Sequence, residues 1–168
     1  MRTASCIRCP ITTTSSPNGP RAGYVFPNNA PSLEKEFRSS KRARDIYAEA
    51  KAEPAPERRA RLLREGFAAL RTSHEAFVIF DVFNEVVMRW GERISIGRLK
   101  EVAVDRAICD EVEAAHARLS RIIEGHLHSD GTSPPPLDPA ALMSEIEAFD
   151  ALKKRQKTLT SPLKGKAS

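Results

Sequence analysis

The chain has 168 residues, 40% of them hydrophobic and 29% charged, which is enough for one domain with a real core and not comfortably for two. Its formal charge of +5 is spread rather than focused, with +3 on residues 1–30, +3 on 31–65, −3 on 66–130 and +2 on 131–168. A dedicated nucleic-acid-binding domain gathers Lys and Arg on one folded face, so weak, salt-sensitive contact of the basic flanks with phosphates is the alternative reading rather than the leading one.

Residues 1–31 are rich in Ser, Thr, Pro, Asn and Gly without an apolar period, and they read as a disordered N-terminal arm. Together with a second proline cluster at 134–139 they reduce the foldable portion to roughly 120 residues. A helix is expected from Ser32, a capping residue with Glu34 and Glu36 in its first turn. Leu33, Phe37, Ile46, Tyr47 and Ala50 give it an apolar face, and Pro54 and Pro56 stop it near Ala52. A second helix opens at Pro56, where proline suits the first turn, with Leu62, Leu63, Phe67 and Leu70 at helical spacing. Thr72 and Glu75 match a capping box, so either a third helix starts there or the second continues.

The run from Glu75 to Trp90 is expected to be the heart of the fold. Phe77, Val78, Ile79, Phe80, Val82, Phe83, Val86, Val87 and Trp90 cover most of a helix circumference. Asp81, Glu85 and Arg89 form one polar stripe, with Glu85 and Arg89 ordered for an ion pair. Gly91 is the expected C-terminal cap, and a strand is the competing reading of FVIFDVF. Ile94, Ser95 and Ile96 suggest a short extended piece. From Asp105, the residues Ile108, Val112, Ala115, Leu119, Ile122 and His126 step by four and three, an apolar seam for packing against other helices or for one strand of a coiled coil. Asp110, Glu113, Arg118 and Arg121 lie opposite. After a Pro-rich linker at 131–138, Asp138 and Pro139 start a final amphipathic helix over 139–160, with Leu142, Ile146, Phe149 and Leu152 on its apolar face and a loose tail at 161–168.

Few residues point to chemistry. Arg121 and His126 fit the R-x4-H spacing of HEPN ribonucleases, in which an arginine steadies charge on an RNA phosphate and a histidine moves protons; His126 also falls on the apolar seam, where a packed histidine is the ordinary explanation. His126, His128, Glu124 and Asp130 are assembled too loosely, at a helix end, to complete a metal site. Cys6 and Cys9 form half a zinc site with no second pair, and Cys109 stands alone; an odd set of thiols suits a reducing, cytoplasmic setting. The aromatic stripe Phe77, Phe80, Phe83 and Trp90 alternates with Val and Ile, which favours core packing over base stacking. No phosphate loop, dinucleotide fingerprint or serine elbow is present. No signal-peptide core opens the chain, and AFVIFDVFNEVVM carries too many polar groups to span a bilayer.

The runs EAFVIF (75–80), GERISIGRL (91–99) and LSRIIEGHLHSD (119–130) resemble the C-terminal helical region of bacterial AAA/SMC-type ATPases of the RecF-like kind, over about residues 34–155. The resemblance implies a truncated or stand-alone helical appendage without ATP hydrolysis, because the phosphate loop and the acidic Mg-binding segment are missing. Its implied partners are an ATPase subunit, a second copy, or DNA.

These observations predict an all-α bundle of four to five helices, with a helical core domain over 32–130. The expected function is that of a non-enzymatic interaction module, pairing with a protein partner or with itself through its helical seams. No catalytic residue, metal, cofactor, small-molecule ligand or membrane contact is expected. A HEPN-like ribonuclease using Arg121 and His126 is the alternative.

Overall fold

The computed structural model describes residues 13–14, 25–26, 34–88, 94–124 and 137–164. Four α-helices make an all-α bundle: α1 (Lys41–Ala52), α2 (Pro56–Phe77), α3 (Arg106–Glu124) and α4 (Pro139–Lys164). Two short 3-10 helices, Lys35–Arg38 and Ile96–Glu101, and a π-helical turn at Val78–Val82 complete the helical parts among the described residues. Within the stretch read as a patternless arm, β1 (Thr13–Thr14) and β2 (Val25–Phe26) form a short antiparallel ladder, Thr13 opposite Phe26 and Thr14 opposite Val25. The remainder of that arm, the linker before Leu137 and the last four residues lie outside the described residues.

Punctuation residues set most boundaries. Pro54 and Pro56 separate α1 from α2, and Pro56 occupies the first turn of α2. The Asp138 carboxylate accepts the Ala140 N–H at 2.8 Å, and the Asp105 carboxylate accepts the Ile108 N–H at 3.0 Å, capping α4 and α3. The Thr72–Glu75 capping box does not form. The Thr72 hydroxyl donates back to the Ala68 carbonyl at 3.1 Å and α2 runs on without a break. The expected helix start at Ser32 lies outside the described residues; from Glu34 the chain makes the 3-10 turn, breaks at Ser39–Ser40, and restarts as α1 at Lys41. At the other end, α4 passes through Thr160 to Lys164 with Pro162 in its last turn. Proline there costs only the N–H that would have served Thr158.

The long helix α2 is the axis of the fold, packing against α1, α3 and α4. Its Leu63, Phe67, Leu70 and Phe77 are fully buried, as are Leu142, Ile146 and Phe149 of α4. Ala43, Ile46 and Ala50 of α1 and Ile108 and Leu119 of α3 close the same core. Each large side chain buried this way contributes on the order of 1.5–3 kcal/mol. Gly66 lets α4 approach α2 closely, since a Cβ there would stand 2.6 Å from Leu142 Cδ2. Ion pairs fix the helices in register: Arg42 with Glu65 (3.1 Å), Arg44 with Asp150 (2.6 Å), and both Nε and Nη2 of Arg118 on Glu145 (2.9 and 3.0 Å). Ile108, Ala115 and Leu119 of the α3 seam and Leu142, Ile146, Phe149 and Leu152 of the α4 seam are therefore buried inside one chain, while Val112 is only half-buried.

The largest departure from expectation is the end of α2. Instead of one helix to Trp90 capped by Gly91, the chain widens into the π-helical turn, where the Phe83 N–H bonds to the Val78 carbonyl at 3.0 Å. Asn84 (φ 46°) and Glu85 (φ 57°) then take left-handed backbone conformations, and the Glu85 N–H returns to the Ile79 carbonyl at 2.9 Å. That seven-to-one bond, one residue wider than the usual helix-closing bond, ends the helix, with Asn84 as a residue type that tolerates the left-handed backbone. Glu85 accordingly pairs with Arg98 and Arg38, while Arg89, Trp90 and Gly91 lie outside the described residues. The strand alternative for FVIFDVF does not occur.

Candidate functional site

Where α2 turns away, it leaves an apolar cleft of about 520 Å³ against the first half of α3. One wall is His74, Val78, Ile79, Val82 and Phe83; the other is Cys109, Val112, Glu113 and His116, with Glu75 and Ala117 at the edges. The π-helical turn creates this geometry. Its extra residue per turn shifts the side chains that follow, so Val82 stays buried whereas Phe83 opens toward solvent. Single π-helical turns of this kind recur at binding sites.

The turn is anchored from α4 by polar groups. The Lys153 ammonium donates to the Asp81 carboxylate at 2.8 Å and to the Arg38 carbonyl at 2.7 Å. The buried Gln156 amide donates to the carbonyls of Asp81 (3.1 Å) and Ala103 (2.9 Å), tying both ends of the connection between α2 and α3 to one side chain. Across the fold, the Arg38 guanidinium lies over the Phe80 ring at 3.7 Å, a cation–π contact. The stripe of rings is thus divided: Phe77 is core, Phe80 is covered by a cation, and Phe83 faces the cleft.

His74 is the unusual member. It is only 2% exposed, its ring meets Phe149 edge-on at 4.7 Å, and neither ring nitrogen has a hydrogen-bond partner among the described residues. Burial pushes its pKa down to about 4; Glu145 opposes the shift, while His116 and Arg118 add to it. The imidazole is consequently neutral at pH 7, carrying one donor and one acceptor. At the rim, His116 Nε2 stands 3.8 Å from Glu75 Oε1, an ion-pair distance rather than a hydrogen bond.

The residues singled out from sequence fall elsewhere. Arg121 is exposed in the last turn of α3, and His126, His128 and Asp130 lie outside the described residues, as do Cys6 and Cys9. Among the described residues no group of three or more His, Cys, Asp or Glu could hold a metal ion, and no helix is long and apolar enough to cross a membrane. His74 escaped notice although its position was readable. Phe67, Leu70, His74 and Phe77 step by three, four and three along the buried face of α2, so its imidazole had to be inside. No protein-family model, curated protein or solved structure matches the chain.

Proposed function

We propose that the protein is a non-enzymatic helical interaction module that pairs with a second copy of itself through the connection between α2 and α3. One observation carries this reading. Phe83, Val87, Ile94, Ile96, Leu99 and Val104, all within one short stretch, are between 46% and 69% exposed. Leu159 is the remaining exposed large hydrophobic side chain among the described residues. The stretch is held together by backbone and polar contacts. The Ser95 N–H bonds to the Val86 carbonyl at 2.9 Å, Asn84 donates to Glu101 at 3.1 Å, and Arg98 pairs with Glu85. The backbone at Val86 is thereby laid beside that at Ser95, and their chain neighbours Val87, Ile94 and Ile96 are all exposed.

Concentrated apolar exposure of this kind supports a protein contact. A two-fold contact uses the same patch on both copies, and the flanking Lys100 and Glu101 supply opposite charges for it. The resemblance to an ATPase appendage suggests an ATPase subunit as the heteromeric counterpart. Sedimentation equilibrium across a concentration series tests the proposal. A dimer that dissociates on dilution, and that is lost when Ile96 and Leu99 are both replaced by Glu, supports it. A parent that remains monomeric at every concentration, or a dimer indifferent to both substitutions, refutes it.

A further inference from the structure

We infer that the cleft between α2 and α3 is a binding site for a neutral lipophilic alcohol, with the ligand hydroxyl satisfying His74. This goes beyond self-association; the two surfaces meet at Phe83, and the inference rests on His74. A space of about 520 Å³ lies in the range of small-molecule sites, which combine apolar walls with a few polar groups. Val78, Ile79 and Val112 supply apolar walls, and the buried His74 lies among the lining residues. Its two nitrogens are buried and lack partners among the described residues, a costly arrangement for polar atoms away from water.

His74 is among the residues lining the cleft, and the torsion about its Cβ–Cγ bond is soft, so rotation of the ring from its edge-on contact with Phe149 would present a nitrogen to a bound molecule. A neutral imidazole offers either an N–H or a lone pair, and a hydroxyl can answer both. A carbonyl can answer only the first. Anions are disfavoured because Glu75 and Glu113 are among the residues lining the cleft. The second space touching His74, about 50 Å³ beside Arg118 and Glu145, is too small for anything but water.

The test uses 2-naphthol, with naphthalene as the match lacking a hydroxyl and 2-naphthoate as the anionic match, titrated by fluorescence at pH 7. The full chain is compared with the monomerising Ile96→Glu, Leu99→Glu form, so that failure of the cleft and failure of the dimer are read separately. Saturable binding of 2-naphthol, about tenfold tighter than naphthalene and tighter than 2-naphthoate, is expected in both. Ala117→Trp, at an exposed position on the cleft wall, should fill the site and abolish binding. His74→Phe should still bind naphthalene and lose the preference for the hydroxyl. Absence of saturable binding in the parent, binding that survives Ala117→Trp, or a hydroxyl preference that survives His74→Phe would each overturn the inference; the last would mean that water in the smaller space serves His74.

Discussion

Two regions of this molecule use the same residue types to opposite ends. Phe67, Phe77, Phe149, Leu70 and Ile146 are sealed between α2 and α4, whereas Phe83, Ile94, Ile96 and Leu99 stand largely in solvent. Composition does not separate the two groups; backbone geometry does. Up to Phe77 the α-helical repeat returns every third or fourth residue to the same buried face. Past Val78 the π-helical turn and the left-handed pair Asn84–Glu85 break that repeat; Val82 and Val86 stay buried, but Phe83, Val87, Ile94, Ile96 and Leu99 are carried outside the bundle. Hydrophobicity alone does not tell core from interface; the helical phase must also persist.

The contrast can be broken most forcefully in the core. Phe149→Ala should cost about 3–5 kcal/mol by urea denaturation, since the cavity left between His74 and Phe77 cannot collapse freely. A loss below that found for surface substitutions would place the core elsewhere. Protonation of His74 comes next. Its folded-state pKa is near 4 against an ordinary value of 6.5, so the unfolded chain takes up a proton first as pH falls. Stability contributed by the neutral ring is intact above about pH 6.5 and drains away down to about pH 4, by roughly 3 kcal/mol. His74→Phe should flatten that slope, and an unchanged slope would assign it to other groups.

Smaller effects sharpen the comparison. Gly66→Val should cost roughly 1–3 kcal/mol, because even a Cβ would meet Leu142 at 2.6 Å and α4 would have to withdraw; a thermal melt unmoved by it would show that the approach of α2 and α4 is not tight. Ile96→Ser, at the most exposed of these apolar positions, should change the unfolding free energy of the monomer in urea by no more than about 0.5 kcal/mol. A larger loss would mean that the connection between α2 and α3 is structural after all.

The legible parts of the fold were those written in local chemistry. Pro54 and Pro56, the Asp138–Pro139 start, and the three-and-four stepping of Ile108 to Leu119 and of Leu142 to Leu152 each act within a turn or two, and the structure follows them. The end of α2 was not legible. Gly91 is the stronger cap signal in the sequence, but Asn84 closes the helix seven residues earlier, helped by Lys153 and Gln156 reaching over from α4. Those contacts span more than seventy residues of chain, beyond any local pattern. The candidate site divides in the same way. The buried position of His74 is implicit in the spacing of Phe67, Leu70 and Phe77, whereas the cleft beside it depends on how α3 meets the widened turn.

Amide hydrogen exchange, followed peptide by peptide in dilute and concentrated protein, addresses the difference between the two regions at its source. The expected result is slow exchange in the Leu62–Phe77 and Leu142–Leu152 segments at every concentration, with fast exchange over Phe83–Val104 that slows as the protein is concentrated. Equal, concentration-independent protection of Phe83–Val104 and the core helices would contradict the account, because that stretch would then be part of the packed interior and not an outward-facing docking surface.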